Sequence, residues 1–277
     1  MASEFLGAAR GLLACPVCGE PLDLVADGDR LVRAACRAGH SFDVARQGHL
    51  NLLGSAQPAN ADTVEMVEAR TRVLASGAFD AVDAVLARRG SAARTVLDVG
   101  GGTGHHLARL LDALPAARGV SLDVSVPAAR RAAKAHPRLA SVVADAWGTL
   151  PLRSRRFDLV TCLFAPRNMA EFARVLADRG LLLVVTPDAE HLASIRDTYG
   201  LLGIEGDKDD RLLRSASGHF ETIGRQRVRS RVDADAALVR DLIAMGPNAF
   251  HGVPGEVADA DVTVSVVVHV YRNATAG

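Results

Sequence analysis

Apolar positions along the chain fall into two rhythms that take turns. Val96-Leu97-Asp98-Val99 is a short apolar run closed by Gly100-Gly101-Gly102-Thr103-Gly104, and Leu107, Leu110, Leu111 and Leu114 then repeat at i, i+3, i+4 and i+7. The run predicts a strand over 95–98, and the repeat predicts an amphipathic helix starting after Gly104. Further strand-type runs occupy 119–123, 140–144, 157–164, 180–186, 220–232 and 261–271. Helix-type patterns lie between most of them, which predicts an α/β fold: a doubly wound, mostly parallel seven-stranded sheet with its ligand at the carboxyl ends of the strands. Upstream, 54–61 with Pro58 and Asn60 reads as a linker. Asp62 is the expected N-cap of a helix over 63–76, with Glu65 closing a capping box and Gly77 as the stop. A second helix is expected over 79–88. Three units follow from this pattern: 1–54, a connecting segment 55–92, and 93–277.

The glycine turn narrows the ligand. Strand, glycine-rich turn and helix in that order bring backbone close to a bound nucleotide, because glycine alone lacks a Cβ. A dinucleotide fingerprint needs glycine at the first, third and sixth positions. Here Gly100 and Gly102 fit, His105 holds the sixth place, and Gly104 comes one residue early. With Asp98 two residues ahead, the D-x-G-x-G-x-G layout resembles motif I of Rossmann-like S-adenosylmethionine (SAM) methyltransferases. That resemblance makes Asp98, Gly100, Gly102, Thr103 and Gly104 candidate cofactor residues. Asp123 closes the second strand, where one carboxylate can accept from both hydroxyls of a ribose; capping the helix that begins near Ser125 is the competing role. Asp145 closes the third strand, where methyltransferases of this class commonly accept from the adenine amino group.

The first forty residues carry different chemistry. Cys15-Pro16-Val17-Cys18 is one knuckle, and Cys36-Arg37-Ala38-Gly39-His40 is a second after 17 intervening residues. Tetrahedral zinc takes four such ligands, and with all four supplied by protein the metal is structural. A redox C-x-x-C would need neither the second knuckle nor this context. Cys162 lies in the apolar stretch 159–164 and reads as a buried thiol. The 277 residues are 49% apolar and carry 32 basic and 32 acidic side chains, so nothing global draws the chain to nucleic acid or membrane. Without a membrane-length apolar run or an N-terminal signal pattern, a cytoplasmic protein is expected.

The segment Phe42-Asp43-Val44-Ala45-Arg46-Gln47-Gly48-His49-Leu50-Asn51-Leu52-Leu53, following the two knuckles and preceding motif I, resembles the RlmA family of 23S rRNA guanine-N1 methyltransferases. The resemblance extends through 66–77, Phe164-Ala165-Pro166, Thr186-Pro187 with His191-Leu192, and 245–254, and so covers nearly the whole chain. Gly100-Gly101-Gly102-Thr103-Gly104-His105-His106 is most similar to the macrolide-producer branch. The resemblance implies a zinc ribbon that helps to read rRNA, SAM as methyl donor, and Phe79 and His191 as cofactor contacts. It further implies a target in hairpin 35 of 23S rRNA domain II (guanine 748 in preference to 745), a homodimer, and protection against macrolides of the tylosin and mycinamicin type.

Guanine N1 bears a hydrogen and faces its pairing partner, so the reaction needs an unpaired or extruded base and a group that eases loss of the proton. Arg167 and Asn168, just past the fourth strand, are the catalytic candidates: the first to polarise O6, the second to read the guanine edge. Plain loop residues would have the same composition. Arg225, Arg227, Arg229 and Arg231 alternate along one strand and share a face, either a phosphate track or a solvated outer surface. Arg30, Arg33, Arg37 and Arg46 make the ribbon basic, and Arg153, Arg155 and Arg156 line a loop. Two other functions remain compatible with the residues: methylation of a small molecule such as a macrolide sugar, and RNA binding without catalysis.

Overall fold

The computed structural model describes residues 5–54, 56–203 and 208–273. After a short 3-10 turn at Leu6–Ala9, strands β1 (Asp23–Asp27), β2 (Arg30–Ala35) and β3 (Ser41–Asp43) form a three-stranded antiparallel sheet. Helices α1 (Val64–Ala75) and α2 (Asp80–Arg89) lead to a larger sheet. Its central strands are β5 (Thr95–Val99), β6 (Arg118–Asp123), β7 (Leu139–Val143), β8 (Phe157–Leu163) and β9 (Leu176–Pro187), all paired parallel. The long hairpin of β10 (Phe220–Ala234) and β11 (Ala260–Asn273) adds antiparallel to β9 and makes β10 an edge strand.

Helices α3 (His105–Ala113), α4 (Val126–Ala132), α5 (Met169–Val175), α6 (Ala193–Tyr199), α7 (Lys208–Ala216) and α8 (Ala236–Ala244) accompany the strands, with a second 3-10 turn at Pro247–His251. The central strands are buried almost end to end, as expected of a parallel sheet covered on both faces. No helix among the described residues is long and apolar enough to cross a membrane.

Two expectations change. The sheet has eight strands rather than seven, because β4 (Leu50–Asn51), from the tail of the zinc ribbon, adds parallel to β7. Two residues are too few for any periodicity to betray a strand. The cap of α1 is Thr63, not Asp62: the Thr63 hydroxyl accepts from Met66 N at 3.3 Å. Asp62 instead pairs with Arg70, one residue before the cap. The stop was legible, since Gly77 follows the helix with φ +81°.

The ribbon has no separate interior. Leu12, Leu13, Leu22 and Leu31 belong to the same buried cluster as Leu97, Val120 and Val142 of the large sheet. The backbone joins them too, with Ala14 N donating to Pro151 O at 3.0 Å and Arg153 N to Leu12 O at 2.9 Å.

Candidate functional site: a glycine loop, an aromatic wall and a metal cluster

The carboxyl end of β5 turns into the glycine loop with φ +67° at Gly100, +53° at Gly102 and +76° at Gly104, which caps α3. Non-glycine residues pay a steric penalty in this region. Gly100 is doubly constrained, because a Cβ there would collide with Ala165 beyond β8. The loop is thereby held tightly against the segment that follows β8.

Two carboxylates shape the loop from different sides. Asp98 is 2% exposed and lies beneath it, accepting from Thr161 Oγ1 at 2.7 Å. Burial pushes its pKa up to about 6, opposed by the Thr161 hydrogen bond. Asp123 is half-buried at the end of β6, where its Oδ2 accepts from Gly102 N and its Oδ1 from Ser125 N, both at 2.8 Å. Burial raises its pKa as well, with those two N–H groups working against the rise. Ser125 is the true cap of α4, accepting from Ala128 N at 3.3 Å, so Asp123 is not needed for that task. One carboxylate thus ties two loops together, and each of its oxygens keeps a second lone pair. Thr103 is buried. Asp145, past β7, is half-buried and accepts from Trp147 N at 2.9 Å.

An aromatic wall stands beside this loop. Phe79, 2% exposed, packs edge-on to Phe164 at 6.0 Å, His191 at 6.3 Å and His106 at 6.1 Å, while Phe164 stacks on His191 at 5.8 Å. Phe79 is therefore both core and wall. His191 Nδ1 accepts from Ser265 N at 3.3 Å, which leaves its proton on Nε2. Burial, helped by the nearby Arg196 charge, lowers its pKa to about 4, so the ring is neutral at pH 7. Sequence reading missed Phe164, whose φ of +56° turns the chain at the end of β8. It also missed Asp83, held between His106 Nδ1 at 2.6 Å and His105 Nε2 at 3.4 Å. Burial alone would raise the Asp83 pKa, yet hydrogen bonds from the two imidazoles hold it below its ordinary value.

The two catalytic candidates part company. Asn168 caps α5 by accepting from Glu171 N at 3.3 Å, and its amide donates to Trp147 O at 3.2 Å and Gly148 O at 3.1 Å. Both donors are spent inside the protein, so reading a guanine edge would break the loop that they hold. Arg167 is half-buried, makes no hydrogen bond or ion pair among the described residues, and its charge works against the burial-driven rise of the Cys162 pKa. Along β10 all four arginines are exposed on one face, as the alternation required. Arg227 pairs with Asp188 at 2.7 Å and Arg229 with Glu190 at 2.9 Å, which neutralises at least these two positions of the expected track.

Cys15, Cys18, Cys36 and His40 place their ligand atoms within 4.8 Å of one another. Cys18 Sγ lies 3.7 Å from Cys36 Sγ, which lies 3.4 Å from His40 Nδ1. Tetrahedral zinc with bonds of about 2.3 Å to sulfur and 2.0 Å to nitrogen would set these edges near 3.8 and 3.5 Å. The cluster fits a closed structural zinc site.

A doubly wound sheet, a three-glycine loop at its carboxyl edge and an acid closing the next strand define a class I SAM-dependent methyltransferase. The model of a methyltransferase domain matches residues 96–180, and that of the RlmA N-terminal zinc ribbon matches residues 13–58. The chain is 44% identical, over 94% of its length and 96% of the relative's, to the 23S rRNA (guanine(748)-N(1))-methyltransferase of Streptomyces fradiae. Identity and coverage are the same for a Micromonospora griseorubida protein described as a 23S rRNA (guanine-N(1)-)-methyltransferase. A Bacillus subtilis relative so described, YxjB, is 35% identical over 67% of each chain. Among solved structures, one from work on converting a disulfide bond into a thioacetal group in echinomycin biosynthesis superposes with a TM-score of 0.50. It covers 71% of this chain and 82% of that one at 16% identity, a likeness of fold alone. The chain belongs to the RlmA-type 23S rRNA (guanine-N1)-methyltransferases. Its cofactors are SAM and one structural zinc in the ribbon.

Proposed function

We propose that this chain methylates N1 of guanine 748 in the loop of hairpin 35 of 23S rRNA. The observation that carries the reading is 44% identity to the Streptomyces fradiae enzyme across ribbon, connecting helices and methyltransferase domain together. SAM supplies an electrophilic methyl that needs an aligned nucleophile and little covalent help, so positioning is the main task of the protein. Gly100, Gly102, Thr103 and Gly104 cradle the cofactor, Asp98 braces the loop from below, and Asp123 takes the ribose hydroxyls. Asp145 takes the adenine amino group, while Phe79 and His191 line the methionine side. Arg167 polarises guanine O6 and so eases loss of the N1 proton, and Asn168 holds the adjoining loop in place. The zinc ribbon, residues 1–54, reads the RNA with Arg30, Arg33, Arg37 and Arg46. Residues 55–92 connect it to the catalytic unit 93–277.

The protein acts in the cytoplasm as a homodimer with RNA lying across both subunits. Methylation at this loop protects the ribosome against macrolides of the tylosin and mycinamicin type. The test incubates purified protein with methyl-labelled SAM and a domain II transcript, then digests the RNA to nucleosides for mass spectrometry. The expected product is 1-methylguanosine. Intact SAM binding with no labelled nucleoside would move the acceptor to a small molecule. A sensitive host with methylated rRNA but unchanged drug tolerance would end the resistance reading.

A further inference from the structure

The loop between β7 and β8 carries the only tryptophan of the chain. Trp147 is 68% exposed, the highest value among the exposed large apolar side chains of the described residues. Tryptophan is ordinarily well covered, and a single exposed apolar residue on a mobile loop would mean little. This loop is pinned, however. Trp147 N donates to Asp145 Oδ1 at 2.9 Å, and the carbonyls of Trp147 and Gly148 accept from the Asn168 amide at 3.2 and 3.1 Å. Asn168 is itself anchored as the cap of α5. A fixed backbone thus presents an indole that makes no ring contact or hydrogen bond among the described residues.

Its place is specific. Asp145, the proposed adenine acceptor, is bonded to its backbone N–H, and Asn168, next to Arg167 in sequence, to its carbonyl. Phe164, the other exposed aromatic at this edge, already stacks on His191. The Trp147 ring is therefore an unclaimed aromatic face on a fixed loop, tied by its backbone to two candidate site residues, Asp145 and Asn168.

We infer that Trp147 is a stacking platform for a base of the RNA acceptor at the mouth of the SAM site, an inference that rests on the RNA reading above. Every base has a π face, so such a platform contributes affinity and holds an unpaired base in place, while edge discrimination falls to groups such as Arg167. Stacking of this kind is worth about 1–3 kcal/mol per base, or roughly a 5- to 150-fold change in affinity.

Because there is one tryptophan, its fluorescence reports this loop alone. The experiment titrates the zinc-loaded protein first with S-adenosylhomocysteine and then with a hairpin 35 oligonucleotide. Quenching is expected at the second step. Trp147→Ala should weaken hairpin binding by the factor above and leave S-adenosylhomocysteine affinity unchanged, while Trp147→Tyr restores most of the loss. If cofactor alone gives the whole spectral change, the indole covers adenine and the inference falls. It falls equally if Trp147→Ala binds the hairpin as the parent does. A parent protein that neither binds nor methylates the hairpin would overturn the RNA reading itself, which separates the two failures.

Discussion

The two ligand sites of this chain are ordered in opposite ways. Around the glycine loop, order comes from packed protein: Ala165 against Gly100, Thr161 on Asp98, and Asp123 bonded to two loop amides. In the ribbon, three short strands and three cysteines converge on a point with little apolar material of their own, and the leucines that are present pack into the core of the neighbouring sheet. The glycine loop is braced by protein contacts alone, whereas in the ribbon a metal ion would tie together strands that have little core of their own. A small module can therefore be held by metal from within and by a borrowed core from outside, and both supports have to act together.

The largest effect should come from removing the metal. Structural zinc in small modules contributes on the order of 10 kcal/mol or more. Cys36→Ser or a strong chelator should abolish the single zinc equivalent. Because Leu12, Leu22 and Leu31 share a cluster with Leu97 and Val120, the melting temperature of the whole chain should drop as well. An unchanged melting temperature in zinc-free protein would show that the ribbon and the large sheet do not depend on one core.

A smaller effect is expected at the glycine loop. Asp123→Ala removes the proposed ribose acceptor and leaves Gly102 N and Ser125 N without their partner. SAM affinity by calorimetry should fall by at least about 100-fold, since hydrogen bonds to a charged group are worth about 1.5–3 kcal/mol each. Zinc content should stay at one equivalent. Loss of zinc in this variant would mean that the two sites are not separately ordered.

His191 gives the mildest test, through pH. Its folded-state pKa of about 4 lies below the ordinary 6.5, so the unfolded chain takes up the proton first as pH falls. Its contribution is undiminished above pH 6.5, erodes between 6.5 and 4, and is level below. The total comes to no more than about 3 kcal/mol. Asp98, raised to about 6, acts with opposite sign, because the folded chain holds that proton more tightly. The measurement is the difference in melting temperature between the parent and His191→Gln without cofactor, in which the Asp98 contribution cancels. That difference should shift against the parent from pH 7 to pH 4.5. A flat difference would show that His191 is not buried neutral.

The glycine loop and the acids at the strand ends were legible because backbone geometry demands glycine where φ is positive and strand ends are marked by abrupt loss of apolar character. The metal ligands were legible from spacing alone. What escaped depended on partners distant in sequence. Nothing local says that Leu50-Asn51 will pair with Val142-Val143, or that Arg227 and Arg229 will meet Asp188 and Glu190. The same holds for Asn168, whose amide is consumed by carbonyls twenty or so residues upstream. Phe79, a cofactor contact by the family resemblance, is buried as well, and only the fold places it against Phe164 and His191 as a wall.

Under the proposed function, ribbon and SAM pocket serve one nucleotide. Primer extension across domain II of unmodified 23S rRNA, after incubation with protein and SAM, tests it directly, since a methyl on guanine N1 blocks pairing and stops reverse transcriptase. A new SAM-dependent stop at guanine 748 is expected. A stop at another guanine, or none on naked and partly assembled RNA while SAM binding is intact, would contradict it.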